Sequence, residues 1–292
     1  MASLDGTMGI GLEVDALKSK GVPQFSSGAP TKRRHRIRWW RFVVMLLAGA
    51  YFLIPLYAAL KFTFENEAGK LSLQAVEHLP TSPGFSAAFF LSMRLALLTV
   101  AIAMVLMVPT VIYVHLKLPK IRPIMEFVTV LPIVVPPIVL IIGVLGSAPL
   151  WLKSSPYLLS LLYVILAMPF VYRSLDAGLN AIDLKTLVEA SRSLGGNWIR
   201  TLRIVVLPNL RSALLSAMVL TLALVLGEYT MASLDLWTTI PVWIVQFNIS
   251  TNGHIQVAAA MLLLIGTWVL LSVIVSLDRS QSRRSLRKAG TL

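Results

Sequence analysis

Six stretches of this 292-residue chain are almost continuously apolar, and the polar residues collect between them. They run from about Phe42 to Leu60, Phe89 to Val114, Glu126 to Leu145, Tyr157 to Tyr172, Leu214 to Ser233 and Ile255 to Leu277. A helix rises about 1.5 Å per residue, so roughly 20 apolar residues cross the hydrocarbon core of a bilayer. Each stretch is therefore expected to be a membrane-spanning helix, the short fourth one extending further. The fold class that follows is all-α, a polytopic membrane protein with six spans.

Between spans the pattern changes character. Residues 1–40 are rich in Gly, Ser and basic side chains and lack helical periodicity, which predicts a disordered extension. Residues 41–84 hold the first span and a polar loop, with a short interfacial helix expected around Leu71 to His78. Residues 85–277 form a core of five spans, and 278–292 a basic tail. The first span is expected to be an uncleaved signal anchor, because its basic leader is too long for a cleaved signal peptide.

Composition agrees with this picture. Apolar residues make up 57% of the chain and charged residues 13%, at a mean hydropathy of +0.78. Soluble domains carry about 25% charged residues, so part of this surface must face lipid. The net charge of +13 is confined to runs that flank apolar segments, which excludes nucleic acid as the expected partner. Lys and Arg number eight up to Arg41, three from His115 to Met125, six from Arg173 to Arg211, and five in the tail. The opposite side holds Lys61, Lys70 and Lys153. This bias predicts that both termini are cytoplasmic. Cysteine is absent and the four histidines are far apart, so no metal site is expected. Arg94, Glu126 and Glu228 are too few ionisable groups within the spans for an embedded enzyme.

The segment from Arg173 to Arg211 is too long for a simple inner loop. Leu175, Leu179, Ile182, Leu187 and Ala190 recur at helical spacing, Gly195 and Gly196 interrupt, and Trp198, Leu202, Ile204 and Val205 resume an amphipathic pattern. Pro208 marks a break before the fifth span. The reading is a cytoplasmic helix, turn and helix. Periodicity alone leaves two uses open: a surface for a partner protein, or an element lying on lipid headgroups.

The residues of this hairpin resemble a known family. Glu189, Ala190 and Ser191, then Gly195, then Val205, Leu207 and Pro208 are similar to the EAA signature of binding-protein-dependent ABC importer permeases. Ser191 stands where that pattern has its second Ala, and Val205 where it has Ile. The resemblance covers roughly residues 85 to 275. It implies a hairpin that docks on a nucleotide-binding subunit, with Glu189, Ala190, Ser191, Gly195, Gly196, Leu207 and Pro208 as the coupling residues. It also implies a dimer of ATPase subunits that bind ATP and Mg, a second permease that is a paralogue, an extracytoplasmic solute-binding protein, and residence in a bacterial inner membrane. No Walker A pattern occurs in the chain, so no cofactor and no ATP hydrolysis are expected within it. The cargo implied is a polyamine such as spermidine or putrescine, with ferric iron, phosphonate, thiamine, sulfate or another small solute as the alternative. A secondary transporter or channel is the rival class.

Within the spans, Glu228 and Tyr229 in the fifth and Pro136 and Pro137 in the third are the expected lining of a translocation path. A carboxylate at membrane depth has to be paired or hydrated. A pairing with a neighbouring span explains Glu228 equally well. The prolines kink their span either toward a path or for packing.

Overall fold

The computed structural model describes residues 39–65, 69–247 and 249–289. The expectation of disorder for the N-terminal extension lies, up to residue 38, outside them. The chain divides into two units, 1–52 and 53–292. The described part of the first, 39–52, belongs to α1 (Trp39–Thr63).

The described residues of the second unit are mostly helical. It contains α2 (Gln74–His78), α3 (Phe85–Lys117), α4 (Arg122–Val134), α5 (Pro137–Ser147), α6 (Leu150–Lys153) and α7 (Tyr157–Asn180). The hairpin follows as α8 (Leu184–Ser193), α9 (Trp198–Thr201), a π-turn over Leu202–Val206, and α10 (Leu207–Asn209). Then come α11 (Arg211–Leu226), α12 (Thr230–Leu234), α13 (Ile240–Gln246) and α14 (Ile249–Ala289). The short interfacial helix expected near Leu71 is α2, which starts three residues later. Among the described residues the only strand-like pairing is an isolated bridge between Glu65 and Leu71.

Four helices are long and apolar enough to cross a membrane unbroken: α1, α3, α7 and the 253–276 part of α14. Two bent helix pairs bring the count up to six if each is one span. The third span is one of them, and here the structure corrects a simple kink to a sharp elbow. The helical segments on either side of Val135 and Pro136 meet at 93°. Both residues precede a proline, whose ring disfavours the helical region for the residue before it. Val135 (ψ 118°) and Pro136 (ψ 136°) are accordingly extended.

The second bent pair joins the hairpin to the fifth span at 75°. The bend falls at Leu210 rather than at Pro208, which sits inside α10. The fifth span also stops earlier than its apolar run, at Leu226 instead of Ser233.

Helices α3, α7 and α11 pack against one another at the centre of this unit, with α4 against α7 and α14 against α11. Apolar side chains fill the space between them in two large clusters. One joins Val111, Val171 and Leu175 to Leu184, Val188 and Val206, so the base of the hairpin belongs to the same core as α3 and α7. The other gathers Leu95, Tyr163, Leu226, Met231 and Val242. Outward faces stay apolar, as Val105, Phe127 and Trp268 show at about 70% exposure. In water such a surface would be strongly unfavourable, and in a bilayer it is the expected solvent contact.

Candidate functional site

The hairpin is built by local hydrogen bonds that its sequence dictates. Asp183 starts α8: its carboxylate accepts from the Thr186 amide at 3.2 Å and from the Thr186 hydroxyl at 2.6 Å. Those bonds hold the Asp183 carboxyl below its ordinary pKa. Leu175 and Leu179, read from sequence as part of the hairpin, instead complete α7, because the chain turns at residues 181–183.

The far end of α8 closes in a Schellman motif. The Gly196 amide donates to the Ser191 carbonyl and the Gly195 amide to the Arg192 carbonyl, both at 2.9 Å. Gly195 takes φ +79°, the left-handed conformation that this motif requires. Gly196 is required for a different reason. A Cβ there would lie 2.6 Å from Ser191 Oγ and 2.7 Å from the Ser191 carbonyl oxygen. Asn197 then caps the next helix, its Oδ1 accepting from the Arg200 amide at 2.8 Å.

Two features of the second arm were not legible as helical periodicity. Residues 202–206 widen into a π-turn. Pro208 has no N–H for the Ile204 carbonyl, and the Asn209 side chain bonds the Val205 carbonyl at 2.7 Å. Ser191 Oγ also reaches Thr201 Oγ1 across the hairpin at 2.8 Å.

The coupling residues implied by the EAA pattern fall on this element. Glu189, Ala190, Gly195 and Pro208 are exposed, while Ser191, Gly196 and Leu207 are partly buried. The hairpin presents apolar side chains outward: Leu194 is 89%, Ile199 60% and Ile204 63% exposed. Between its arms lies a groove of about 360 Å³, lined by Leu187, Ala190, Leu194, Arg200 and Val205 among others.

Glu228 sits in the break after α11, not within a helix. Its Oε2 accepts from the Tyr163 hydroxyl at 3.0 Å and the Ala232 amide at 3.4 Å, and its Oε1 from the Met231 amide at 2.8 Å. It is 9% exposed. These bonds begin α12 and explain why the helix does not continue through Glu228. Neighbouring Tyr229 is exposed. The elbow is close in the fold, since α5, which begins at Pro137, packs on α12, while Pro136 itself is exposed.

Sequence reading missed a polar cluster at the hairpin end of α7. Arg122 Nη2 donates to Asp176 Oδ1 at 2.9 Å and to Asn180 Oδ1 at 2.8 Å, and Asn180 Nδ2 donates to Asp176 Oδ2 at 2.8 Å. His115 Nδ1 donates to the Val111 carbonyl, which leaves Nε2 facing Asp176 Oδ1 at 3.1 Å. The one available signal was the i, i+4 placement of Asp176 and Asn180. Among the described residues no cluster of His, Asp and Glu could hold a metal.

The sequence compares with known proteins as this geometry suggests. Residues 119–286 match the family model of the binding-protein-dependent transport system inner membrane component. The chain is 28% identical over 202 residues to a probable molybdenum ABC transporter permease protein of Haloferax volcanii, covering 65% of this chain and 72% of the relative. It is 28% identical over 166 residues to a putative 2-aminoethylphosphonate transport system permease protein of Salmonella typhimurium, covering 54% of this chain and 61% of the relative. A putative ferric transport system permease protein of Haemophilus influenzae is 38% identical over 98 residues, 32% of this chain and 15% of that longer protein. The polyamine cargo expected above finds no support among these relatives. With a family match over more than half its length, multiple apolar helices and a well-built hairpin, the chain belongs to the binding-protein-dependent transport system inner membrane components, the membrane-embedded permease subunits of ABC transporters.

Proposed function

We propose that this chain forms half of the translocation path of an ATP-driven importer and that its 184–209 hairpin docks on an ATPase subunit. The observation that carries this reading is the hairpin itself. Its base is packed into the core of α3 and α7, and its turn and second arm present Leu194, Ile199 and Ile204 to the outside. An element built this way can transmit force, because packed helices shift as units. Glu189 stands exposed on the same arm, where an Arg of a partner could pair with it. A second permease and an external binding protein complete the assembly. This reading puts both termini on the ATPase side, and the Lys and Arg bias supports it.

The cargo is a small inorganic or phosphorus-containing solute. Support comes from the relatives whose descriptions name molybdenum, ferric iron and 2-aminoethylphosphonate. The test is reconstitution of the chain with its co-purifying partners in sealed vesicles. ATP-driven uptake of molybdate, ferric iron or 2-aminoethylphosphonate is expected. A fluorophore at residue 199 should be shielded when the ATPase subunit is added. Shielding by lipid alone, with no change on adding the ATPase, would instead place the hairpin on the headgroups.

A further inference from the structure

The cluster around Asp176 joins the end of α7 to the α3–α4 corner, more than 50 residues earlier in the chain. Asp176 and Asn180 occupy the last turns of α7, Arg122 opens α4, and His115 ends α3. The Tyr172 hydroxyl adds a bond to the Arg122 carbonyl at 3.2 Å. Arg122 and Asp176 are partly buried, with side-chain exposures of 33% and 28%, so water screens their attraction less than it would on an open surface.

What lies on either side of this cluster gives it meaning. Beyond Asn180 the chain turns and enters α8 at the Asp183 cap, so α7 runs directly into the hairpin. In the other direction, α4 leads from Arg122 to the 93° elbow, and α5 beyond the elbow packs on α12, the helix that Glu228 begins. The Arg122–Asp176 pair is thus the polar joint between the hairpin end of α7 and the span that carries the elbow.

We propose that Arg122 and Asp176 form a clasp that makes the α4–α5 elbow follow the hairpin when the hairpin is displaced, so that these two residues position the third span during each transport cycle. The proposal rests on the permease reading above. Asp176 is the hub: it holds Arg122 and Asn180 directly and faces His115. A single Nη2 of Arg122 serves both Asp176 and Asn180. Glu126 and Tyr172 line the same recess of about 270 Å³ and are the other titratable groups facing the pair. With the clasp opened, α4 is still tethered by the chain and by packing on α7, but it no longer has to move with Asp176.

The test uses the full reconstituted transporter and measures solute taken up per ATP hydrolysed. Arg122→Gln and Asp176→Asn are each expected to lower that ratio about tenfold, an ordinary size for coupling between sites, while ATP hydrolysis and co-purification with the partners persist. The exchange Arg122→Asp with Asp176→Arg should recover much of the ratio. Arg122→Lys keeps the charge without the planar fork and should fall between. A pair of spin labels on α4 and α7 supplies a second readout, in which nucleotide-driven motion of α4 becomes independent of α7 in Arg122→Gln. Wild-type ratios in the single variants would overturn the clasp. So would a loss of assembly in Arg122→Gln that the exchange does not repair, with α4 and α7 still moving together. If the wild-type chain shows no ATP-driven uptake, the proposed importer function fails instead, before any variant is compared.

Discussion

Ser191 Oγ lies 2.8 Å from Thr201 Oγ1, and this contact ties the two arms of the hairpin together. Thr201 is fully buried, so its hydroxyl has no water to turn to. The Ser at 191, which reads in sequence as a small departure from a Glu-Ala-Ala pattern, is therefore a cross-link between the arms. Ser191→Ala should leave the buried Thr201 hydroxyl without this partner, at a cost of about 1–2 kcal/mol. Amides of residues 198–206 are expected to exchange faster with deuterium in the variant, while the transporter still assembles. Unchanged exchange would mean that the contact stabilises nothing.

The two turn glycines should respond differently to the same substitution. Gly195 needs its positive φ but has open space around a Cβ. Gly195→Asn is expected to be mild, Gly195→Ala to cost about 1 kcal/mol, and Gly195→Val more, since β-branched residues tolerate this conformation least. Gly196→Ala meets the Ser191 backbone at 2.7 Å and has to displace it. We expect Gly195→Val and Gly196→Ala to abolish uptake with membrane insertion intact. Insertion is read by protease protection and uptake by labelled solute. Normal uptake in both variants would remove the hairpin from the mechanism.

The spans and the hairpin were legible because their signals are local. Twenty apolar residues in a row, or Gly195 and Gly196 followed by Asn197, carry their meaning within a few turns of chain. The misreadings arise where particular side-chain partners, near or far in sequence, decide. The apolar run through Met231 and Ala232 reads as a continuation of the fifth span, yet Glu228 takes the amides of those same residues and starts a new helix. Arg122 and Asp176 meet across 54 positions, beyond any periodicity. The prolines at 136 and 137 announced a disturbance in the third span. The 93° angle emerged only with helix α5 packed against α12.

Glu228 already accepts three hydrogen bonds, which bears on its use. A carboxylate already accepting from Tyr163, Met231 and Ala232 has little capacity left for a passing solute. Glu228→Gln would turn one acceptor oxygen into an NH₂ donor facing donors. We expect it to lower the melting temperature of the purified transporter, by an amount equivalent to about 1–3 kcal/mol. Tyr163→Phe removes a single donor and should cost less. Uptake per folded transporter is expected to stay near wild type in Tyr163→Phe. A Glu228→Gln protein that melts normally and yet transports poorly would return Glu228 to the translocation path.

Asp235 makes the opposite case, a carboxylate with too few partners. It lies between α12 and α13, outside every candidate span, and its Oδ2 is buried without a hydrogen bond. Burial pushes its carboxyl from an ordinary value of 3.8 up to about 6. The folded state therefore holds this proton more tightly than the unfolded chain does. As pH rises through the window between those two values, the unfolded chain ionises first and folding loses stability. Above pH 6 the folded protein carries the unfavourable charge. Asp235→Asn removes that charge and should raise the melting temperature at pH 7.5. The advantage should shrink as pH falls and vanish below about pH 4, where both side chains are neutral. A melting difference that stays constant from pH 4 to pH 7.5 would show that packing, and not the buried charge, sets the effect.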